Sequence, residues 1–280
     1  MGRSRDFLAL TKPRVVLMVL VTTSVGFYLG SPAPPDWLRW LPTLLGTALA
    51  AGGTIALNQY LERQVDGLME RTRRRPLPEG RLRPSEALWF GTAITVTGLS
   101  LLLAVGPLPA LVTAATVGLY LFAYTPLKRK SPLCLLAGAI PGALPPVTGW
   151  VAARGELGAG AWLLFGILFL WQVPHTLAIA RLHQDDYARG QIRLLPANRA
   201  AGEAQALASC LALLVVGVLP TVIGLTGPVY FAGALTLGMG LLGCGVLGAL
   251  SPSLASARRL LIASLVYLPV LLILMTLDKI

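Results

Sequence analysis

The chain has 280 residues, of which 55% are hydrophobic and only 12% charged. Soluble domains carry about 25% charged residues, so this composition excludes an ordinary soluble globule and points to a lipid bilayer as solvent. The net charge of +11 invites a nucleic-acid partner, but the charges stand at the ends of apolar runs, which excludes a basic nucleic-acid surface.

A spanning helix needs about 17–25 mostly apolar residues. Taken in chain order, nine runs meet or approach that length: 14–30, 41–61, 87–106, 109–127, 132–152, 159–180, 205–226, 229–250 and 260–277. The first follows Arg3, Arg5, Lys12 and Arg14 and could pass for a signal peptide. It is read as a retained span, because Ser31–Ala33 is a weak cleavage site and Pro34 and Pro35 come directly after it. Within lipid every backbone polar group needs an internal partner, so these runs are expected to be helices. The expected fold is an all-α, polytopic membrane bundle of nine transmembrane helices, residues 1–280 forming one domain. With the N-terminus cytoplasmic, every Lys and Arg of the chain except Arg39, Arg154 and Lys279 falls on the cytoplasmic side. That asymmetry obeys the positive-inside rule. Cys134, Cys210 and Cys244 are far apart, form no C-x-x-C pair, and suggest neither zinc nor a disulfide framework.

The second span ends in N-Q-Y-L-E-R-Q-V-D-G-L-M-E-R-T-R-R-R-P-L-P, beginning at Asn58. Residues four apart advance by a net 40° on a helix. Asn58, Glu62, Asp66 and Glu70 therefore share a stripe if the helix continues. Like charges at this spacing destabilise a helix, and acids sit badly at a helix C-terminus. A divalent cation on the stripe removes both objections. A hard cation such as Mg²⁺ commonly joins one or two carboxylates to a substrate phosphate. The arginines from Arg71 to Arg75 suit phosphate oxygens. Acids, cation and arginines beside apolar helices describe a site for a diphosphate with a hydrocarbon tail. The competing reading is a solvated helix end whose charges simply pair.

Three features of the second half are ambiguous. Asp185 and Asp186 come after the sixth span on the same side as the first acidic cluster, either as a site or as an ordinary loop. His175 lies inside that span, where an ionisable group is a functional hypothesis by default; it could equally bond the carbonyl freed by Pro174. The fifth span contains I-P-G-A-L-P-P-V-T-G-W (140–150), and its prolines and glycines predict a broken helix lining a cavity.

Together these stretches resemble the UbiA-type intramembrane prenyltransferase superfamily, and within it the branch that farnesylates haem. The resemblance runs from T-K-P-R (11–14) to the last span. It includes Y-T-P-L-K-R-K (124–130) and W-Q-V-P-H (171–175) with Asp185-Asp186-Tyr187. It implies nine helices around a central cavity in a bacterial-type inner membrane, with the polar cap facing the cytoplasm. It also implies Mg²⁺-dependent transfer from farnesyl diphosphate to a vinyl group of haem b, giving haem O for terminal oxidases, with a haem A synthase as a candidate partner. Asn58, Glu62 and Asp66 are then the catalytic, metal-side residues. Arg71, Arg75, Lys128 and Arg129 stand on the diphosphate side, and His175, Asp185 and Asp186 on the haem side. The superfamily's N-x-x-x-D-x-x-x-D motif has Glu62 in place of its first aspartate. His175 and Leu182 occupy aspartate places of the second motif, which counts against the rival acceptor, an aromatic quinone precursor. A further rival, a lipid-phosphate transporter, would favour charges near mid-membrane and repeated halves.

Overall fold

The computed structural model describes residues 2–32, 34–196 and 198–280; Ala33, the last residue of the stretch weighed as a cleavage site, lies outside the described residues. Nine segments among them are long and apolar enough to cross a bilayer, and the protein is an integral, multi-pass membrane protein.

A short helix α1 (Arg3–Thr11) passes through Lys12 into α2 (Pro13–Gly30). Lys12 adopts φ 47°, ψ 71°. This left-handed conformation costs a non-glycine residue roughly 1–2 kcal/mol. The Lys12 carbonyl accepts the N–H groups of Val15 and Val16 and so begins α2. Helix α3 (Trp37–Asp66) starts earlier than its apolar run, because the Asp36 carboxylate accepts from the N–H groups of Leu38 and Arg39. Such an N-cap contributes about 1 kcal/mol. At 30 residues α3 is about 45 Å long, longer than the roughly 30 Å hydrocarbon layer. Its last turns therefore carry a polar stripe out toward one face of the bundle.

Helix α4 (Pro84–Val105) returns antiparallel. The fourth span changes winding: α5 (Pro107–Gly118) runs into a π-helix (Leu119–Tyr124) and then α6 (Thr125–Leu127). The fifth is broken as expected, into α7 (Cys134–Ala143) and α8 (Pro145–Arg154), since Pro145 and Pro146 offer no N–H to continue the ladder. Helix α8 lies directly on α2. A Cβ on Gly149 would collide with the Thr23 carbonyl, and one on Gly26 with that of Pro146, so glycine at both positions permits the approach. Helices α9 (Ala159–Leu182), α10 (Gln184–Arg189), α11 (Arg199–Val222), α12 (Pro228–Leu250) and α13 (Leu254–Leu277) complete the bundle. Helices α11 and α13 start about six residues before their apolar runs. Asn198 caps the first, and a capping box between Ser253 and Ser256 opens the second.

Two apolar clusters hold these elements. The larger joins α7, α8, α9, α11, α12 and α13. The smaller, Leu10, Ala56, Leu77, Leu82 and Ala87 with Phe7, Tyr60 and Phe90, pins α1 and the 67–83 loop against the end of α3. Gln59 Nε2 donates to the Leu10 carbonyl at 2.6 Å, and Arg81 pairs with the buried Asp6. At the opposite end of the bundle, basic side chains serve the fold. Arg39 donates to the Val105 carbonyl, Lys279 Nζ donates to the carbonyls of Tyr28 and Ser31, and Arg154 lies over the Trp150 ring.

Candidate active site

Helix α3 keeps Asn58, Glu62 and Asp66 on one stripe and stops at Asp66, so the expected continuation to Glu70 does not form; Glu70 lies exposed in the next turn. Asn58 and Asp66 are 2% and 1% exposed. Asn58 Nδ2 donates to Glu62 Oε2 at 2.8 Å, and its Oδ1 accepts from Thr125 Oγ1 at 2.8 Å. Lys128 Nζ bonds both Glu62 oxygens, at 2.8 and 3.0 Å, and sits 4.4 Å from the centre of the Tyr124 ring. Arg75 donates to Asp66 Oδ2 at 2.6 Å. The stripe is thus a buried, charge-paired network, and removing one partner of such a pair typically costs about 3–5 kcal/mol.

A third cation was not anticipated as part of the site. Lys12 has no ion-pair or hydrogen-bond partner for its ammonium among the described residues. Burial, then the charges of Arg75 and Lys128, lower its pKa to about 8 despite Asp66 and Glu62 nearby. The sequence offered a signal, a lysine directly before the helix-starting Pro13, but counted it among the charges that set topology. The anticipated arginines divide. Arg75 is in the network. Arg71 lies at the exposed rim, its guanidinium 5.6 Å from the Tyr187 ring, and Arg129 reaches outward to Gln191 at 3.4 Å.

Joined to the network through Tyr124 is a cavity of about 290 Å³ lined by α2, α3, α5, the π-helix, α7, α8 and α9. Val15, Val19, Ala50, Ile55 and Val117 make its walls apolar, Leu194 from the 190–196 loop closes on it, and Tyr120, Tyr124, Gln172 and Thr176 add polar atoms. The π-helix brings Tyr120 and Tyr124 to the same wall, with ring centroids 5.2 Å apart. The Thr125 N–H reaches back to the Tyr120 carbonyl, and the Thr125 hydroxyl to Asn58. Neither tyrosine nor Gln172 was singled out from the sequence. Their signal, a polar residue every fourth position on a span, is shared with ordinary packing.

The second acidic cluster is placed differently from the first. The buried Asp186 accepts from the backbone N–H groups of Glu70 (3.0 Å) and Arg71 (3.2 Å) and pairs with Arg189 at 3.2 Å. Burial alone would raise its pKa; the two N–H bonds and the neighbouring arginines outweigh that and hold the carboxyl below its usual range. It clips one polar loop to the other. Asp185 is exposed. His175, expected to face the cavity, turns instead to α13. Its Nδ1 lies 2.9 Å from Ser264 Oγ, and its ring stacks on Trp171 with centroids 4.6 Å apart. Ser264 Oγ donates to the Leu261 carbonyl, so the histidine Nδ1–H is the donor to it. One residue along a helix is a 100° turn, which separates the α13-facing pair Trp171 and His175 from the cavity-facing pair Gln172 and Thr176.

Among the described residues, no group of three or more His, Cys, Asp and Glu side chains could cage a metal. Two carboxylates and a carboxamide at successive turns do fit a hard cation that completes its shell with phosphate oxygens. A largely apolar cavity beside a hard-oxygen stripe and its cations is an arrangement that suits a diphosphate carrying a hydrocarbon tail. The chain belongs to the UbiA prenyltransferase family, whose pattern matches residues 19–273. A relative from Solibacter usitatus, named protoheme IX farnesyltransferase, is 44% identical over 288 aligned residues, covering 98% of this chain and 99% of its own. The fold matches a structure described as digeranylgeranylglyceryl phosphate synthase (TM-score 0.86, 15% identity, 99% of each chain). It also matches a UbiA homologue from Archaeoglobus fulgidus bound to GPP and Mg²⁺ (TM-score 0.68, 14% identity, 96% of this chain and 99% of that one).

Proposed function

We propose that the protein transfers the farnesyl group of farnesyl diphosphate to a vinyl group of haem b, giving haem O. The observation that carries the reading is the charge-paired network of Arg75, Lys128, Glu62 and Asp66, with Lys12 beside it, joined through Tyr124 to a largely apolar cavity. The acceptor is taken from the 44% identical relative's name.

The tail enters the cavity and the diphosphate stays at its mouth. At about 0.8 kcal/mol per buried carbon, a farnesyl chain gains on the order of 10 kcal/mol from such surroundings. Asn58, Glu62 and Asp66 are the oxygen donors for Mg²⁺, which when bound would neutralise charge growing on the leaving diphosphate. Substrate entry exchanges the Lys128–Glu62 and Arg75–Asp66 pairs for contacts to phosphate, so both cations are already in place before ionisation. Their fixed position lowers the barrier without reorganisation. The faces of Tyr120 and Tyr124 suit an allylic cation, and Leu194 with the surrounding apolar walls excludes bulk water. The basic end of the bundle faces the cytoplasm of a bacterial-type inner membrane, in keeping with the Lys/Arg asymmetry. A haem A synthase, as consumer of haem O, is the partner to seek.

The test is incubation of the purified protein with Mg²⁺, farnesyl diphosphate and haem b, with the products read by mass spectrometry. A haem heavier by one farnesyl and one hydroxyl group is expected. Prenylation of an aromatic acid with haem left untouched would transfer the proposal to the quinone-precursor reading.

A further inference from the structure

Haem O carries a hydroxyl group at the new junction, so the proposed transfer consumes a water as well as two substrates. We infer that Gln172 holds that water. The inference rests on the proposed transfer to haem and concerns a residue outside the metal and diphosphate network.

Gln172 and Thr176 lie one turn apart on the cavity-facing side of α9. The Gln172 carboxamide is held from two helices. Its Nε2 donates to the Leu168 carbonyl of α9 at 3.2 Å and to the Ala139 carbonyl of α7 at 3.4 Å. Both partners are acceptors, and this fixes which end of the amide is nitrogen. Oε1 lies against Gly142, in the space that a Cβ there would occupy, so that glycine keeps this side of the carboxamide clear beside the cavity that both residues line. Both N–H groups are thus committed, and among the described residues Oε1 has no donor. A water satisfies an open acceptor on a cavity wall where two or more polar partners converge. Thr176, one turn along α9 and lining the same cavity, supplies the second in this inference. Gln172 lies ten residues before the end of α9 and Asn58 eight before the end of α3. The depths are therefore about 15 and 12 Å from helix ends that Asp186 ties together. Gln172 thus lies slightly deeper than Asn58, on the wall of the cavity that the proposed transfer uses.

The terminal vinyl carbon bonds to farnesyl C1 as the C1–O bond breaks, and the diphosphate leaves with the electron pair. The vinyl carbon next to the porphyrin becomes cationic. The water on Gln172 Oε1 adds its oxygen to that carbon and yields a proton to the released diphosphate. Without a held water, the same cation loses a proton from the new methylene to the diphosphate and becomes an alkene, lighter than haem O by one water.

The test is the product ratio of Gln172→Leu, read by mass spectrometry as hydroxylated against dehydrated prenyl haem. The dehydrated share should rise about tenfold, the effect of losing roughly 1.4 kcal/mol of preference for addition. Gln172→Glu, which keeps an acceptor at that place, should retain mainly hydroxylated product. A wild-type ratio in Gln172→Leu, at whatever overall rate, overturns the inference. So does complete loss of product with farnesyl diphosphate binding intact, the signature of a residue needed before the cation forms. If wild-type protein makes no farnesylated haem, the proposed function itself falls, and the two failures are distinct.

Discussion

Helices α3 and α9 each carry polar residues toward the same end of the bundle, yet only α3 gathers them into one network. Asn58, Glu62 and Asp66 ride one uninterrupted helix at four-residue steps and meet Lys128 and Arg75 directly. Gln172 and His175 of α9, and Asp186 of α10 just after it, scatter: one to the cavity, one to α13, one to the backbone of the opposite loop. Charge in a sequence marks where polar groups are, but only an unbroken period makes them converge. The α3 set is concentrated at one place, as the proposed chemistry requires, and the second set is spread over the surrounding walls.

The sharpest way to break this comparison is Asp66→Asn. Turnover should fall by about 10²–10³ or more, the usual loss when one preorganised electrostatic group is removed. Membrane insertion should persist, because topology rests on Lys and Arg. Near-normal activity in Mg²⁺-containing membranes would remove α3 from the chemistry. Glu62→Asp should be milder, since a carboxylate remains within reach.

Next in size is Lys128→Ala, with Arg75→Ala as its counterpart. Each loses a charge-assisted contact of roughly 1.5–3 kcal/mol, weakening farnesyl diphosphate binding by about 10- to 100-fold and haem binding little. Equal loss for both ligands in titrations would mean that the pairs only support the fold.

Lys12 sharpens the comparison through pH. With a pKa of about 8 in the folded protein, it is charged below that pH and neutral above it. Farnesyl diphosphate affinity should be level below pH 8 and fall above it by at most about tenfold per unit. Lys12→Gln should flatten the profile. Thermal stability should respond with the opposite sign. The pKa of Lys12 lies below its unfolded value near 10.4, so the folded state binds fewer protons and gains stability between about pH 8 and 10.4. Parallel slopes in the two measurements would place Lys12 outside the site.

The smallest effect belongs to His175→Ala. It should lower the melting temperature by a few degrees, about 1 kcal/mol for one lost hydrogen bond, and leave the Soret band and affinity of added haem unchanged. A shifted Soret band would bring α9 back into direct contact with the acceptor.

The nine spans were legible in the sequence because lipid leaves the backbone no alternative to long apolar helices. Their starts were less legible, since Asp36, Asn198 and Ser253 act by local bonds that apolar runs do not register. The α3 stripe was legible as far as Asp66. The turn after it, and the attachment of Asp186 to Glu70 and Arg71, depend on a partner more than a hundred residues away. His175 stands one helical step from the cavity-lining positions and bonds Ser264, a partner on α13 that its own span does not reveal, and Lys12 was hidden among charges of the same sign.

The π-helix from Leu119 to Tyr124 has a consequence for insertions and deletions. A π-helix holds one more residue in its turn than an α-helix would. Deleting one residue between Leu119 and Tyr124 would return the turn to ordinary winding and leave the two ends of the span close to their present phase. A deletion in the α-helical parts on either side has no extra residue to absorb it. It would rotate the end of the span by about 100° relative to its beginning and carry Lys128 away from Glu62. The segment behaves as a spacer with one residue in reserve. A one-residue deletion outside these six residues should therefore disable the site more severely than one within them, while either leaves the hydropathy of the span almost unaltered.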